Sequence, residues 1–260
     1  MSLDLHASAE PGYRAQSRPP RPALTRVRTK LFDGLFALWT MLQSPLIPGL
    51  ALLRRPRLTR AAIRFWTGGV LALMRVVLGL RFREEGLENK HPGTPCIYVC
   101  NHQSTWETLA FNNLVPDICM VAKHELRRIP VFGWYLGNAP MILIDRGAGG
   151  RALAAMITEA RREVAKGRSI LIFPEGTRAD VGQDCKFQPG LIALYRKLGI
   201  PVVPVAHNAG CFWTDTGKAA GTVTLSYLPT IPAGLPAAEA MADIEARLTA
   251  EKNRLAHGLR

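Results

Sequence analysis

Two short stretches of this chain hold side chains that can do more than pack or dissolve. The run Asn101-His102-Gln103-Ser104-Thr105-Trp106-Glu107 puts an imidazole and a carboxylate five positions apart, and Phe173-Pro174-Glu175-Gly176-Thr177-Arg178 gathers a carboxylate, a glycine and a guanidinium. A neutral imidazole titrates near working pH and can take a hydroxyl proton as the oxygen attacks. A carboxylate on its other ring nitrogen would fix the tautomer and stabilise the cation formed. An Arg with planar paired donors and a Gly-containing turn with backbone amides suit a phosphate. Together these groups point to acyl transfer onto a phosphorylated alcohol.

That chemistry constrains the elements beneath it. In a continuous helix, five residues would separate the two side chains by about 140°, so His102 and Glu107 could not meet. They meet if His102 lies in a loop and Glu107 in the first helical turn. Ser104 followed three positions later by Glu107 fits a capping box and supports a helix start there. The same match gives Glu107 a second role, accepting the N-cap amide without touching His102, and spacing leaves both open. A lone histidine after a strand is commonly just a satisfied loop residue; the company of the second motif singles out His102.

From residue 95 onward, apolar runs at 95–100, 119–122, 141–144, 170–173 and 202–206 each lead into a polar group. Those groups are Asn101-His102, Lys123-His124, Asp145-Arg146, Pro174 to Arg178, and His207-Asn208. Residues 151–166 are good helix formers stopped by Gly167. Strand, helix, strand at that spacing predicts right-handed crossovers and parallel pairing. Parallel α/β sheets collect ligands at the carboxyl ends of their strands. One sheet edge would therefore gather His102, Glu107, Lys123, Arg146, Glu175, Thr177 and Arg178. His207 and Asn208 end the last of these strands; His207 would share that edge and the two could stabilise an oxyanion or contact the acyl donor, while a polar strand cap is the plainer account of both. Residues 221–228 form one more strand and 236–257 an amphipathic helix, both assigned to scaffold.

At 260 residues and 48% hydrophobic, the chain can bury one α/β core plus an appendage, which sets the catalytic domain at 84–260. The net charge of +13 is uneven: residues 1–83 hold 14 Lys and Arg against 3 Asp and Glu, and residues 84–260 hold 19 against 17. The N-terminal cations bracket apolar runs at 34–53 and 61–80 instead of forming a polar stripe with stacking aromatics. That pattern favours anionic lipid headgroups over a nucleic-acid surface, and no nucleic-acid partner is expected. Pro45, Pro48, Arg64 and Arg75 interrupt the runs, so neither is a clean span of about 20 apolar residues. The expectation is a membrane-embedded two-helix hairpin over 31–83, sunk in one leaflet with Arg60, Arg64 and Arg75 snorkelling. A Pro- and Arg-rich mobile tail would precede it over 1–30. Cys96, Cys100, Cys119, Cys185 and Cys211 show no metal-site spacing and are expected as small apolar fillers, with the catalytic part facing the cytoplasm.

Four ordered segments now carry a resemblance: the Asn-His-Gln-Ser run with an acid five residues after its His, Ile144-Asp145-Arg146, Phe173 to Arg178, and Val203-Pro204-Val205. Over about residues 84–230 the chain resembles the glycerolipid acyltransferases, specifically the 1-acyl-glycerol-3-phosphate acyltransferases. The resemblance implies an α/β fold with a mostly parallel central sheet flanked by helices. It implies transfer of a fatty acyl group from acyl-CoA or acyl carrier protein to the sn-2 hydroxyl of lysophosphatidic acid, giving phosphatidic acid. The thioester would be a cosubstrate, with no metal and no other cofactor. Carried over, His102 would be the general base and Glu107 its orienting acid. Arg146, Glu175, Gly176, Thr177 and Arg178 would hold the glycerol phosphate, with Lys123 as a further contact, and Pro204 would shape the acyl-donor side. The chain departs from the family in having Glu107 where Asp is usual. Two other assignments share these residues: an acyltransferase acting on lyso-ornithine lipid or another lysophospholipid, and an inactive membrane lipid-binding protein.

Overall fold

The computed structural model describes residues 23–257 except 54, 92, 129–132, 134–138, 146, 148, 184–185 and 215–216. Three helices open it, α1 (Ala23–Gln43), α2 (Leu46–Leu52) and α3 (Pro56–Leu73), the last continuing as a π-turn over Met74–Leu78. Then follow β1 (Leu80–Glu85), β2 (Ile97–Cys100), α4 (Trp106–Leu114), β3 (Cys119–Lys123), β4 (Met141–Ile144), α5 (Gly150–Ala165), β5 (Ile170–Ile172) and α6 (Pro189–Leu198). The chain ends with β6 (Val202–His207), a small hairpin of β7 (Trp213–Thr214) and β8 (Gly217–Lys218), β9 (Gly221–Tyr227) and α7 (Ala237–His257).

Seven strands form one sheet in the order β1-β9-β6-β2-β5-β3-β4. The pairs from β6 to β4 are all parallel, whereas β9 joins β6 antiparallel and β1 joins β9 parallel. The α/β class and mostly parallel sheet stand as expected. Alternation along the strands sorts the core into two layers. Tyr98, Cys100, Leu171, Val203 and Val205 pack on the side of α3 and α4, against Trp66, Val70, Leu109 and Phe111. Ile97, Val99, Ile170, Ile172 and Val202 pack against Met156 of α5, Leu194 of α6 and Ile244 of α7. Cys96, Cys100 and Cys119 are free and buried in these layers, as fillers would be; Cys185 lies outside the described residues.

The N-terminal third departs from the expected hairpin in three ways. Helix α1 begins at Ala23, inside the segment expected to be a tail, of which residues 1–22 lie outside the described residues. The sheet begins at Leu80, ahead of the expected boundary at 84. Above all, α3 belongs to the domain core: Ile63, Trp66, Val70, Met74 and Leu78 are buried, and Arg60, expected to snorkel, pairs with Asp117 at 2.8 Å. Arg57–Leu78 is the one described segment long and apolar enough to cross a bilayer, with hydropathy 1.5, yet one of its faces is committed to α4 and the sheet. The other carries exposed Leu58, Phe65 and Val76.

Helix α1 crosses α3 where Gly69 lacks a side chain. A Cβ there would lie 2.5 Å from the Trp39 indole, which is held by its Nε1 donating to Trp66 O at 2.9 Å. Gly69→Ala should therefore destabilise the protein by about 1–3 kcal/mol. Gly34→Ala, with nothing within 4 Å of the new methyl, should stabilise α1 by about 0.5–1 kcal/mol. Thermal unfolding of both variants in detergent checks the pair, and equal shifts would refute the close crossing.

Candidate active site

Strand β2 ends at Cys100 and the chain leaves the sheet as Asn101 and His102, four residues before α4 starts at Trp106. That loop lets the five-residue spacing work. His102 Nδ1 lies 2.8 Å from Glu107 Oε1, so Nδ1–H donates to the carboxylate and Nε2 carries the lone pair. Glu107 Oε1 also accepts from the backbone amides of Gln103 and Ser104, each at 2.8 Å, and Oε2 accepts from Ser104 Oγ. Ser104 Oγ in turn accepts from Trp106 N at 3.0 Å. The two roles left open for Glu107 are thus both real: one carboxylate closes the capping box and orients the histidine. With Glu in place of Asp, the carboxylate still reaches the imidazole at this spacing.

Glu107 is fully buried. Burial pushes its carboxyl up, but the Nε2–H of His207, 3.8 Å from Oε2, the His102 imidazole and the hydrogen bonds from His102 and Ser104 outweigh burial and hold it at about 2. It stays anionic throughout the working range of an imidazole.

The second motif follows β5, the neighbour of β2, and grips the same histidine. Phe173 stacks on the His102 ring with centroids 4.4 Å apart and planes 20° apart. Glu175 Oε2 accepts from His102 N at 3.3 Å, and His102 O accepts from Ala179 N at 2.8 Å. Gly176 makes this reversal with φ +73°, a left-handed conformation that favours glycine. Arg178 Nη2 donates to Thr105 Oγ1 at 2.8 Å, which brings an exposed guanidinium beside the first motif.

Glu175 turns inward, away from the exposed edge where a phosphate contact was expected, and its carboxyl braces the His102 backbone from below. Burial pushes its carboxyl up to about 7, with the Glu107 charge adding to the rise and the amide hydrogen bonds and Lys252 opposing it. Thr177 and Arg178 are exposed on the turn, as a ligand contact would be. Lys123 ends β3, exposed on the same sheet edge but two strands from β2, about 10 Å away at ordinary strand spacing. Arg146 lies outside the described residues. Pro204 is buried in β6, paired with Val99.

Three residues that sequence reasoning did not assign belong to the site. Phe173 and Ser104 lie inside the two motifs, and their positions beside the chemical groups were the available signal. Ala179, one residue past the motif, acts through its backbone and leaves no side-chain signature. Among the described residues no group of three or more His, Cys, Asp and Glu side chains is placed to hold a metal ion.

Comparisons with known proteins fit this arrangement. Residues 81–208, which run from β1 to just past β6, match the family model described as Acyltransferase. The fold is that of an acyltransferase. The 1-acyl-sn-glycerol-3-phosphate acyltransferase of Pseudomonas aeruginosa is 37% identical over 230 residues, covering 86% of this chain and 88% of that enzyme. The human 1-acyl-sn-glycerol-3-phosphate acyltransferase beta is 31% identical over 172 residues, 64% of this chain and 62% of its own length. In fold, the crystal structure of the 1-acyl-sn-glycerophosphate acyltransferase PlsC from Thermotoga maritima superposes with a TM-score of 0.71 over 89% of this chain and 97% of that one, at 21% identity. The chain belongs to the 1-acyl-sn-glycerol-3-phosphate acyltransferase family.

The raised Glu175 carboxyl makes stability depend on pH in a defined direction. Its proton is held more tightly in the folded than in the unfolded chain, so Glu175 costs nothing below pH 4.5 and progressively more as the pH rises to about 7. Full ionisation costs on the order of 3 kcal/mol. Glu175→Gln, which can still accept from His102 N, should match wild type near pH 4.5 and exceed it by about 2–3 kcal/mol at pH 8. Denaturant unfolding across that range checks it; a difference that fails to grow with pH removes the buried carboxylic acid.

Proposed function

We propose that this enzyme transfers a fatty acyl group from an acyl-CoA or acyl carrier protein thioester to the sn-2 hydroxyl of lysophosphatidic acid, giving phosphatidic acid. The observation that carries the proposal is the 2.8 Å contact between His102 Nδ1 and a buried, anionic Glu107 at the end of a central strand. The names of the relatives supply the acceptor.

In this mechanism His102 Nε2 takes the proton of the sn-2 hydroxyl as that oxygen attacks the thioester carbonyl. The new C–O bond forms, the C–S bond breaks, and the leaving thiolate receives the proton. Glu107 stays ionised and stabilises the transient imidazolium. Stacked Phe173 and the backbone contacts to Glu175 and Ala179 keep the ring from turning away. Arg178, with Thr177 and Gly176 on the same turn, binds the phosphate and so fixes where the hydroxyl meets His102; such positioning contributes several kcal/mol toward a barrier. Lys123, at the end of β3, adds a further cation to the same sheet edge.

Both lipids reside in a bilayer, and the N-terminal helices suit docking onto one leaflet on the cytoplasmic side. Of the exposed large apolar side chains among the described residues, all but Phe82 and Leu87 lie between Leu24 and Val76. On α1, Leu24, Val27, Leu31, Leu38 and Leu42 fall within about 60° of arc. Exposed Arg64 and Arg75 flank the outer face of α3 and reach headgroups.

Purified protein in lipid, given lysophosphatidic acid, should show transfer that His102→Ala lowers by about 10²–10⁴-fold while leaving folding intact. Activity surviving that change sinks the mechanism. Arg178→Ala should raise KM for lysophosphatidic acid by about tenfold and leave a lyso-ornithine lipid unaffected, because only the former brings a phosphate monoester. Preference for the second acceptor in direct competition would move the substrate and keep the chemistry. Exchanging Leu31 and Leu38 together for Ser should weaken sedimentation with anionic vesicles by at least about tenfold. Unchanged sedimentation would remove α1 from the membrane face.

A further inference from the structure

Among the described residues, the most deeply buried histidine is not the base. His207 ends β6 with no exposed surface, and both its ring nitrogens are engaged. Its Nε2 lies 2.7 Å from Asn101 O and donates to it, and its Nδ1 accepts from Ala209 N at 3.1 Å. These partners define a neutral ring protonated on Nε2, in keeping with burial, which pushes its pKa down against the pull of Glu107. Glu107 Oε2 is 3.8 Å from Nε2, beyond a hydrogen bond.

The contact with Asn101 is doubled by a second. The buried Asn101 amide donates from Nδ2 to His207 O at 3.0 Å, and Oδ1 accepts from His207 N at 2.9 Å. Three hydrogen bonds thus join residues 101 and 207 past the last strand register of the pair, Cys100 with Val205. The peptide joined in this way is the one immediately before His102. On its far side, Glu175 and Ala179 hold the amide and carbonyl of His102 itself. The backbone that carries the imidazole is pinned from β6 on one flank and β5 on the other.

We propose that His207 is a positioning residue: by holding the Asn101 carbonyl through Nε2–H, it fixes the peptide from which His102 projects and so sets that imidazole against Glu107. The proposal rests on the reading of His102 as general base. It also separates the two functions of the His207 ring. The bond to Ala209 N only shapes the turn after β6, whereas the bond to Asn101 O acts on the reaction.

Asn and Gln test this, because the amide of Asn reaches the Nδ1 position and that of Gln the Nε2 position. His207→Asn keeps an acceptor for Ala209 N and loses the donor to Asn101 O; His207→Gln does the reverse. Per folded protein, kcat should fall about 10–100-fold in His207→Asn, with KM for the lysolipid within about twofold, and recover to within about fivefold of wild type in His207→Gln. If His207→Asn does not fold, His207→Met takes its place, filling similar space with no donor to Asn101 O, with the same expected loss of kcat. Equal kcat in the Asn and Gln variants, or a loss confined to KM, overturns the proposal.

A second readout needs no lipid. Modification of His102 by diethyl pyrocarbonate, followed by mass spectrometry, should slow at least about threefold in His207→Asn and not in His207→Gln. Slowed modification in a protein that transfers no acyl group would refute the proposed function and leave the positioning intact. Normal transfer with unchanged kcat and modification rate in His207→Asn would refute the positioning alone.

Discussion

A single buried carboxylate imposes its requirements on everything around the site. Glu107 is sealed from solvent, and an anion there costs several kcal/mol unless the protein replaces its water. Four donors do so: the His102 ring, the Gln103 and Ser104 amides and the Ser104 hydroxyl. Three of these four lie on the backbone or side chains of residues 103 and 104, so the loop between β2 and α4 cannot relax without stranding the charge. The capping of the helix and the orientation of the His102 ring are therefore one structural event. A helix start is an economical place for it, because the amides that must be satisfied at any N-terminus are the same amides that stabilise the anion.

A second carboxylate shares the neighbourhood and titrates far from the first. Glu175 has a hydrogen bond from the His102 amide and the distant help of Lys252, which do not offset its burial, and the Glu107 charge pushes it further up. The environment drives one acid to about 2 and the other to about 7. One sits against the imidazole as a fixed anion, and the other sits beneath its backbone and is half-neutral near pH 7. The difference follows from donor count: Glu107 was given a helix start and a ring, Glu175 a turn.

Much of this was legible in the sequence, for a physical reason. The buried central strands are short apolar runs with no alternation, each followed by turn chemistry, so β2 to β6 stood out and the rule for parallel sheets placed their ends together. The His102–Glu107 spacing excluded a continuous helix and thereby indicated the loop. Other features left no such trace. β1 reads Leu80-Arg81-Phe82-Arg83-Glu84-Glu85, a charged edge strand that pattern alone does not mark. The clamp between Asn101 and His207 joins residues 106 positions apart, and no periodicity encodes a long-range polar contact. Glu175 could not be separated from the other polar residues of its motif, because the direction a side chain takes from a turn depends on the neighbouring strand.

The N-terminal helices show the deepest limit of such reading. Apolar residues surround α3 nearly all round, and burial energy is the same whether protein or lipid covers them. The sequence therefore reports that both faces seek cover without reporting which cover each obtains. Packing decides: Ile63, Trp66, Val70 and Met74 meet the core, while Phe65 and Val76 face outward. Helix α1 is tied to the domain too. Lys218 of β8 pairs with Asp33 at 2.7 Å and lies over the rings of Phe32 and Trp213, 5.4 and 5.0 Å from their centroids. Trp213 and Lys218 belong to the hairpin that follows the end of β6, so the helix with the exposed apolar stripe is joined through a few side chains to the strand that bears His207. The outer apolar face and the strand-end site are thus parts of one packed unit, joined through Phe32, Trp213 and Lys218.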